Sequence, residues 1–248
     1  SYLKQGLGPL IDVIPWHPFY QADPLDPAFD RYASDVREFK KVCESYGFRG
    51  EYMATEWTWS APYPPTIEVW TDGNPRVVIS EMMKAKYAAQ LTIKHVGLDM
   101  VSLWNETFQT QIPQWSIGLL RNTFTADPLP PTQPEPVYYV QRTLSTVLED
   151  VSPIDLTVEL GALAARCEVW AFVRGNGERL VAIWLKGRAS DRASGRETDV
   201  LLSDVHAEHV VAIDTLNGRE QELTVEHTEQ GALLKGMLIY DFPILLKF

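Results

Sequence analysis

Two hydrophobic periods divide this chain. Up to about residue 150, short β-rich runs alternate with longer stretches whose apolar side chains recur every three to four residues. Beyond it only short strand-like runs remain. Ile11-Asp12-Val13-Ile14 is a strand-like run that stops at Pro15, and His17-Pro18-Phe19-Tyr20 opens a proline-studded loop. Phe29, Tyr32, Val36, Phe39 and Cys43 fall on a 3.6-residue period and predict a helix over 29–46, with Gly47 as its C-terminal cap. Residues 51–55 read as a second strand. After a loop rich in proline and aromatics, Ser80 caps a second predicted helix with Met83, Tyr87 and Leu91 on one face and Gly97 at its end. Residues 100–103 form a third predicted strand closing with Trp104, and residues 137–148 a third helix.

Strand, loop, helix repeated three times predicts parallel βαβ units. In each unit a chemically interesting residue (His17, Glu56, Trp104) falls at the C-terminal end of its strand, and the long loops follow the strands. Ligand sites at that rim are the habit of (β/α)₈ barrels and of doubly wound sheets. No glycine-rich phosphate loop follows any of these strands, which favours the barrel. Near Asp150 the pattern changes to about eight short strands, with Gly175-Asn176-Gly177 and Asn217-Gly218 as hairpin turns. This predicts an antiparallel β-sandwich, with Trp170, Phe172, Val181, Ile183 and Leu185 in its core. The expected division is a partial barrel over 1–150 and a sandwich over 151–248.

Composition narrows the function classes. The 248 residues are 45% apolar and 22% charged, with net charge −11 and a pI near 4.9. Such an anionic surface repels phosphate backbones and argues against nucleic acid as a partner. No run of 18 uncharged apolar residues is present, which argues against a membrane span. Cys43 and Cys167 stand far apart and give neither a disulfide framework nor a zinc spacing. There is no His-x-His or Glu-x-x-His pair, so neither metal nor cofactor is expected. The chain begins with Ser1 rather than Met and shows no signal peptide, which leaves its localisation open.

Glu56 is the leading candidate for chemistry. It ends the run Tyr52-Met53-Ala54-Thr55 and is followed at once by Trp57, Thr58 and Trp59. A strand that delivers one carboxylate to a mouth lined with indoles suits sugar cleavage, in which the carboxylate handles the anomeric carbon and flat rings stack on the sugar. The competing interpretation is a buried, ion-paired Glu at a strand end. Trp57 and Trp59 alternate on one face, so at most one of them is expected to reach a sugar. Trp70 and Trp115, in the long loops, are candidates for outer subsites.

The ordered trio of strand ends, Ile11 to His17, Tyr52 to Trp57 and Val101 to Trp104, resembles strands six, seven and eight of clan A retaining glycoside hydrolases. The trailing strands suggest the β-xylosidase/α-L-iduronidase-like branch or a neighbour. The resemblance implies Glu56 as the nucleophile, His17 and Tyr20 beside it, Trp104 as the floor of the sugar subsite, and a carbohydrate substrate. The clan often spaces His and Tyr two apart; here that position is Phe19 and the tyrosine comes one later. The general acid/base of the clan follows an Asn at the end of strand four, so the chain reads as the back portion of a longer enzyme whose N-terminal barrel strands supply that group. Asn105-Glu106 imitates the motif but follows Glu56 in chain order. Glu106 is therefore expected at the rim, touching substrate. A non-catalytic carbohydrate-binding or pseudo-enzyme fragment is the alternative.

Overall fold

The computed structural model describes residues 2–18, 27–59, 61, 79–104, 118–122, 131–192 and 195–248. Three short strands, β1 (Val13–Trp16), β2 (Glu51–Ala54) and β3 (Val101–Ser102), form a parallel sheet in that order. The ladder continues one residue further toward the C-terminal ends, where Thr55 N donates to Trp16 O (3.0 Å) and Leu103 N donates to Ala54 O (2.9 Å). Two helices follow β1 and β2: α1 (Pro27–Ser45) and α2 (Glu81–Gly97). A third, α3 (Pro136–Val147), comes after β3 and the hairpin strands β4 (Leu120–Asn122) and β5 (Pro131–Pro134). Strand β1 starts two residues later than the sequence suggests and runs through Pro15. Proline survives there because β1 is at the sheet edge among the described residues, where one side of the backbone needs no donor.

Alternation along the strands splits the sheet into two faces. Trp16 and Tyr52 pack on Phe39 of α1 (ring centroids 4.8 and 6.3 Å apart), and Ser102 bonds His95 of α2. On the opposite face Val13, Val101 and Leu103 are exposed. The helices are built as the sequence suggests. Gly47, at φ +84, lets α1 end with Phe48 N donating to Cys43 O and Gly47 N to Glu44 O, a paired left-handed stop. Ser80 Oγ accepts from Met83 N (3.1 Å) and caps α2. Gly97 has a different role from the terminator expected of it. The turn after α2 is made by Asp99 at φ 54, whereas a Cβ on Gly97 would lie 2.0 Å from the Trp170 ring. Glycine there admits an indole.

From Val151 the chain forms two antiparallel sheets. The six-stranded sheet runs β12-β11-β15-β9-β8-β6, built from β6 (Val151–Ile154), β8 (Cys167–Arg174), β9 (Arg179–Leu185), β11 (Val210–Asp214), β12 (Glu220–Leu223) and β15 (Ile244–Lys247). The four-stranded sheet runs β13-β14-β10-β7, from β7 (Val158–Glu159), β10 (Arg196–Ser203), β13 (Glu226–Thr228) and β14 (Gly231–Ile239). Val181, Ile183, Val200, Leu202, Leu234 and Leu246 pack together in the core the two sheets share. Alternate residues of the larger sheet (Phe172, Leu180, Ala182, Trp184 and Leu245) join the core that surrounds α2 and α3. Strand β9 is therefore covered on both faces, which is why it reads as an unbroken apolar run rather than an alternating one.

Polar groups bind α2 to this second half. Lys86 Nζ lies 2.7 Å from Asp241 Oδ1, both side chains buried, and donates to the carbonyl of Ser190 (2.8 Å). Ala189 N donates to the Tyr87 hydroxyl (2.8 Å) and Gln90 to Asp241 O (2.9 Å). At the other end of α2, Lys94 pairs with Glu168 at 3.0 Å. Among the described residues no helix is long and apolar enough to cross a membrane.

Candidate active site

Strands β1 and β2 are in register, Trp16 opposite Ala54, so the residues just past them emerge side by side. His17 is the first residue after β1, and Glu56 lies two beyond β2 where the chain bends. His17 Nδ1 comes within 3.6 Å of Glu56 Oε2, with both side chains about half exposed (46% and 42%). That is too long for a hydrogen bond and close enough for Coulomb attraction whenever the imidazole is protonated. The buried, ion-paired alternative for Glu56 does not describe this geometry: its carboxylate reaches solvent.

The tryptophans divide. Trp57 and Trp59 do not line an opening. Their exposures are 1% and 2%, and they belong to the main core. Trp57 stands edge-on between His95 (5.2 Å) and Trp104 (5.1 Å), and Trp59 lies against Tyr87 of α2 (5.4 Å). The physical reason is the helix layer: α2 closes over this segment and removes both indoles from water. They support the site from beneath. Trp104 is half-buried, with Lys84 Nζ 5.8 Å from its ring centre, and it meets the Glu56 segment through Trp57. Tyr20 and Glu106 lie outside the described residues, as do Phe19, Trp70, Asn105 and Trp115.

Three groups that the sequence reading passed over support this end of the sheet. His95 is fully buried; Nδ1 shares a 2.8 Å hydrogen bond with Ser102 Oγ and Nε2 another with Tyr32 Oη, so one imidazole joins α2, β3 and α1. Burial disfavours its cation and pushes its pKa down to about 3, leaving it neutral at ordinary pH. The signal was present: His95 sits four residues after Leu91 and eight after Tyr87, on the same apolar stripe. Lys84 and Glu135 form a buried pair (2.9 Å), with Lys84 also donating to Gly118 O at 2.7 Å. Loss of water lowers the Lys84 pKa and raises that of Glu135, each partly offset by the other's charge. Arg121 on the β4–β5 hairpin grips Glu81 through two nitrogens and bonds Gln133 (2.7 Å). Together these tie the hairpin and α3 to the N-terminal end of α2.

In chemical terms, the described part of the site offers one solvent-accessible carboxylate beside one imidazole, at the C-terminal ends of neighbouring parallel strands and over a bed of indoles. Among the described residues no three His, Cys, Asp or Glu side chains converge as a metal site.

No protein-family profile matches the chain, and no curated protein matches it. Among solved structures it is similar in fold, distantly, to the catalytic domain of GH30 xylanase C from Talaromyces cellulolyticus, at 12% identity and a TM-score of 0.42 over 96% of this chain. It is similarly distant from AbfB, a family 51 α-L-arabinofuranosidase from Bifidobacterium longum, at 10% identity and a TM-score of 0.42 over 96% of this chain. The chain spans 62% and 53% of the length of those two structures.

Proposed function

We propose that this chain is the C-terminal part of a retaining glycoside hydrolase, in which Glu56 is the nucleophile. In this interpretation β1, β2 and β3 are strands six to eight of a (β/α)₈ barrel, and residues 151–248 are a β-sandwich domain bracing it. The observation that carries the proposal is the pairing of a half-exposed Glu56 with His17, 3.6 Å apart at adjacent strand ends. A nucleophilic carboxylate must be ionised and reachable, and a cationic or hydrogen-bonding neighbour favours that state.

In the proposed mechanism a Glu56 oxygen attacks the anomeric carbon and the bond to the leaving oxygen breaks, forming a glycosyl ester. A second carboxyl, supplied by barrel strands outside residues 1–248, protonates the leaving oxygen and then activates the water that cleaves the ester. Trp104 would form the floor of the sugar subsite, with Tyr20 and Glu106 reaching substrate from the loops after β1 and β3. Trp57 and Trp59 hold the segment from below. The test is Glu56→Gly in the full protein with an activated aryl glycoside. Turnover should fall by roughly 10³-fold or more, and added azide should restore it by attacking the opened anomeric face. Near wild-type turnover without azide would remove Glu56 from this role.

A further inference from the structure

One end of the two packed antiparallel sheets departs from the acidity of the rest of the chain. Arg166 just before β8, Lys186 and Arg188 just after β9, Arg192 in the same connection and Arg196 at the start of β10 are all exposed. The backbone brings them together. Lys186 N donates to Arg166 O (2.8 Å), Leu185 N to Tyr240 O (2.7 Å), and Arg196 lies opposite Ile239 of β14. Burial raises the pKa of the Cys167 thiol and the charges of Lys186 and Arg166 oppose that rise, so both cations lie around one residue. None of the five has an ion-pair partner among the described residues. The exposed carboxylates in these segments are Asp191, bonded to the Ser80 hydroxyl, and Glu197. Asp241 and Glu168, which adjoin this end, are held by Lys86 and Lys94. Five cations against two carboxylates leave a local positive excess in a chain of net charge −11.

The connection that carries Arg188 and Arg192 is pinned. Ala189 N donates to Tyr87 Oη (2.8 Å) and Ser190 N to Asp241 Oδ2 (2.8 Å), while Lys86 Nζ donates to the carbonyls of Ser190 (2.8 Å) and Arg192 (3.3 Å). The two arginines therefore flank an anchored turn, which needs little ordering when a partner binds. That turn lies along the first half of α2. Helix α2 follows the C-terminal end of β2 and leads by a short turn into the start of β3, so it begins on the side of the parallel sheet where Glu56 emerges. Four of the five cations are guanidiniums, whose planar fork grips a carboxylate through two nitrogens. The acidity of the remaining surface selects among polyanions. A nucleic acid, with a charge about every 1.7 Å, or an anionic bilayer would press dense negative charge against the whole acidic body. A glycan with at most one carboxylate per sugar ring is far sparser and meets the patch with less of that repulsion. We propose that this basic end is a non-catalytic docking surface for a carboxylate-bearing polysaccharide. The choice of a glycan over another sparse polyanion rests on the glycosidase proposal; the cationic surface does not.

The experiment measures binding of the full protein to polygalacturonate and to its fully methyl-esterified, uncharged form at low and at high salt. Both the wild type and Glu56→Gln are used, the latter so that no cleavage intervenes. The expected result is saturable binding to the acidic polymer that weakens with salt, with the ester form bound about tenfold or more weakly. Arg188→Glu combined with Arg192→Glu should lower affinity for the acidic polymer by about tenfold or more, with the melting temperature unchanged. Lys41→Glu combined with Arg49→Glu, the same change of net charge at exposed positions on and just after α1, should leave affinity within about twofold. Three results would overturn the inference: no binding of the acidic polymer or equal binding of both forms, equal losses in the two pairs of variants, or tighter binding to anionic phospholipid vesicles or single-stranded DNA than to polygalacturonate. The Glu56 proposal fails separately, through unchanged turnover of an uncharged aryl glycoside in Glu56→Gln.

Discussion

At the scale of single residues, two imidazoles in the same half of the chain serve opposite purposes. His17 is half exposed beside Glu56, and His95 is sealed between Ser102 and Tyr32. His17→Ala is expected to lower kcat/KM of the full protein a few-fold, the scale of a half-exposed charge contact of at most about 1 kcal/mol, with the melting temperature unchanged. His95 acts on stability instead. Its folded pKa of about 3 lies below the unfolded value of 6.5. Between those values the unfolded chain holds a proton that the folded chain lacks, so acid favours unfolding; above pH 6.5 the group contributes no pH dependence. The expected loss is about 1 kcal/mol between pH 6.5 and 5.5, approaching about 1.4 kcal/mol per pH unit further down. Denaturant melts at pH 6.5 and 5.5, where few carboxylates titrate, should show that loss in the wild type and a flatter response in His95→Gln. An equal slope in both would refute the assignment.

Residue identity told only part of this in advance. The place of Glu56 just past a strand end was legible from the short strand-like run before it. The burial of Trp57 and Trp59 was not, because a sequence shows that indoles adjoin a carboxylate but not on which side of the sheet a helix will close.

At the scale of elements, Gly97 and the Lys84–Glu135 pair decide how α2 sits. Gly97→Ala would place a methyl about 2.0 Å from the Trp170 ring, which must shift to admit it, a cost of about 1–3 kcal/mol in overpacking. Glu135→Ala strands a buried ammonium and should cost about 3–5 kcal/mol, whereas Lys84→Met with Glu135→Leu should recover most of that loss. Thermal melts of the single and double variants check both statements; a double variant no better than Glu135→Ala would contradict the second. The three helices, three strands and most later strands could be read from period and caps, to within a residue or two at α1, α2 and α3. Three features could not. Strand β6 contains a proline and lacks an apolar run, the β4–β5 hairpin is held by the Glu81 side chain of α2 on Arg121, and the stretch over 222–227 divides between two sheets at Thr224-Val225.

At the scale of the whole molecule, the parallel sheet has one face on helices and presents Val13, Val101 and Leu103 to solvent on the other. Residues 1–248 produced alone should therefore self-associate, seen as concentration-dependent sedimentation. A single monomeric species with a two-state melt across the same range would count against a partial barrel. The second half is better covered, because the larger sheet packs on α2 and α3 with one face and on the smaller sheet with the other.

The central claim is that Glu56 carries the sugar covalently. The full protein, incubated with a 2-deoxy-2-fluoro glycosyl donor that slows ester hydrolysis, can be digested and its peptides weighed. A glycosyl mass on the peptide containing Glu56, absent in Glu56→Gln, is the expected result. An adduct on a different carboxylate, or turnover of glycosides with no adduct at all, would contradict it.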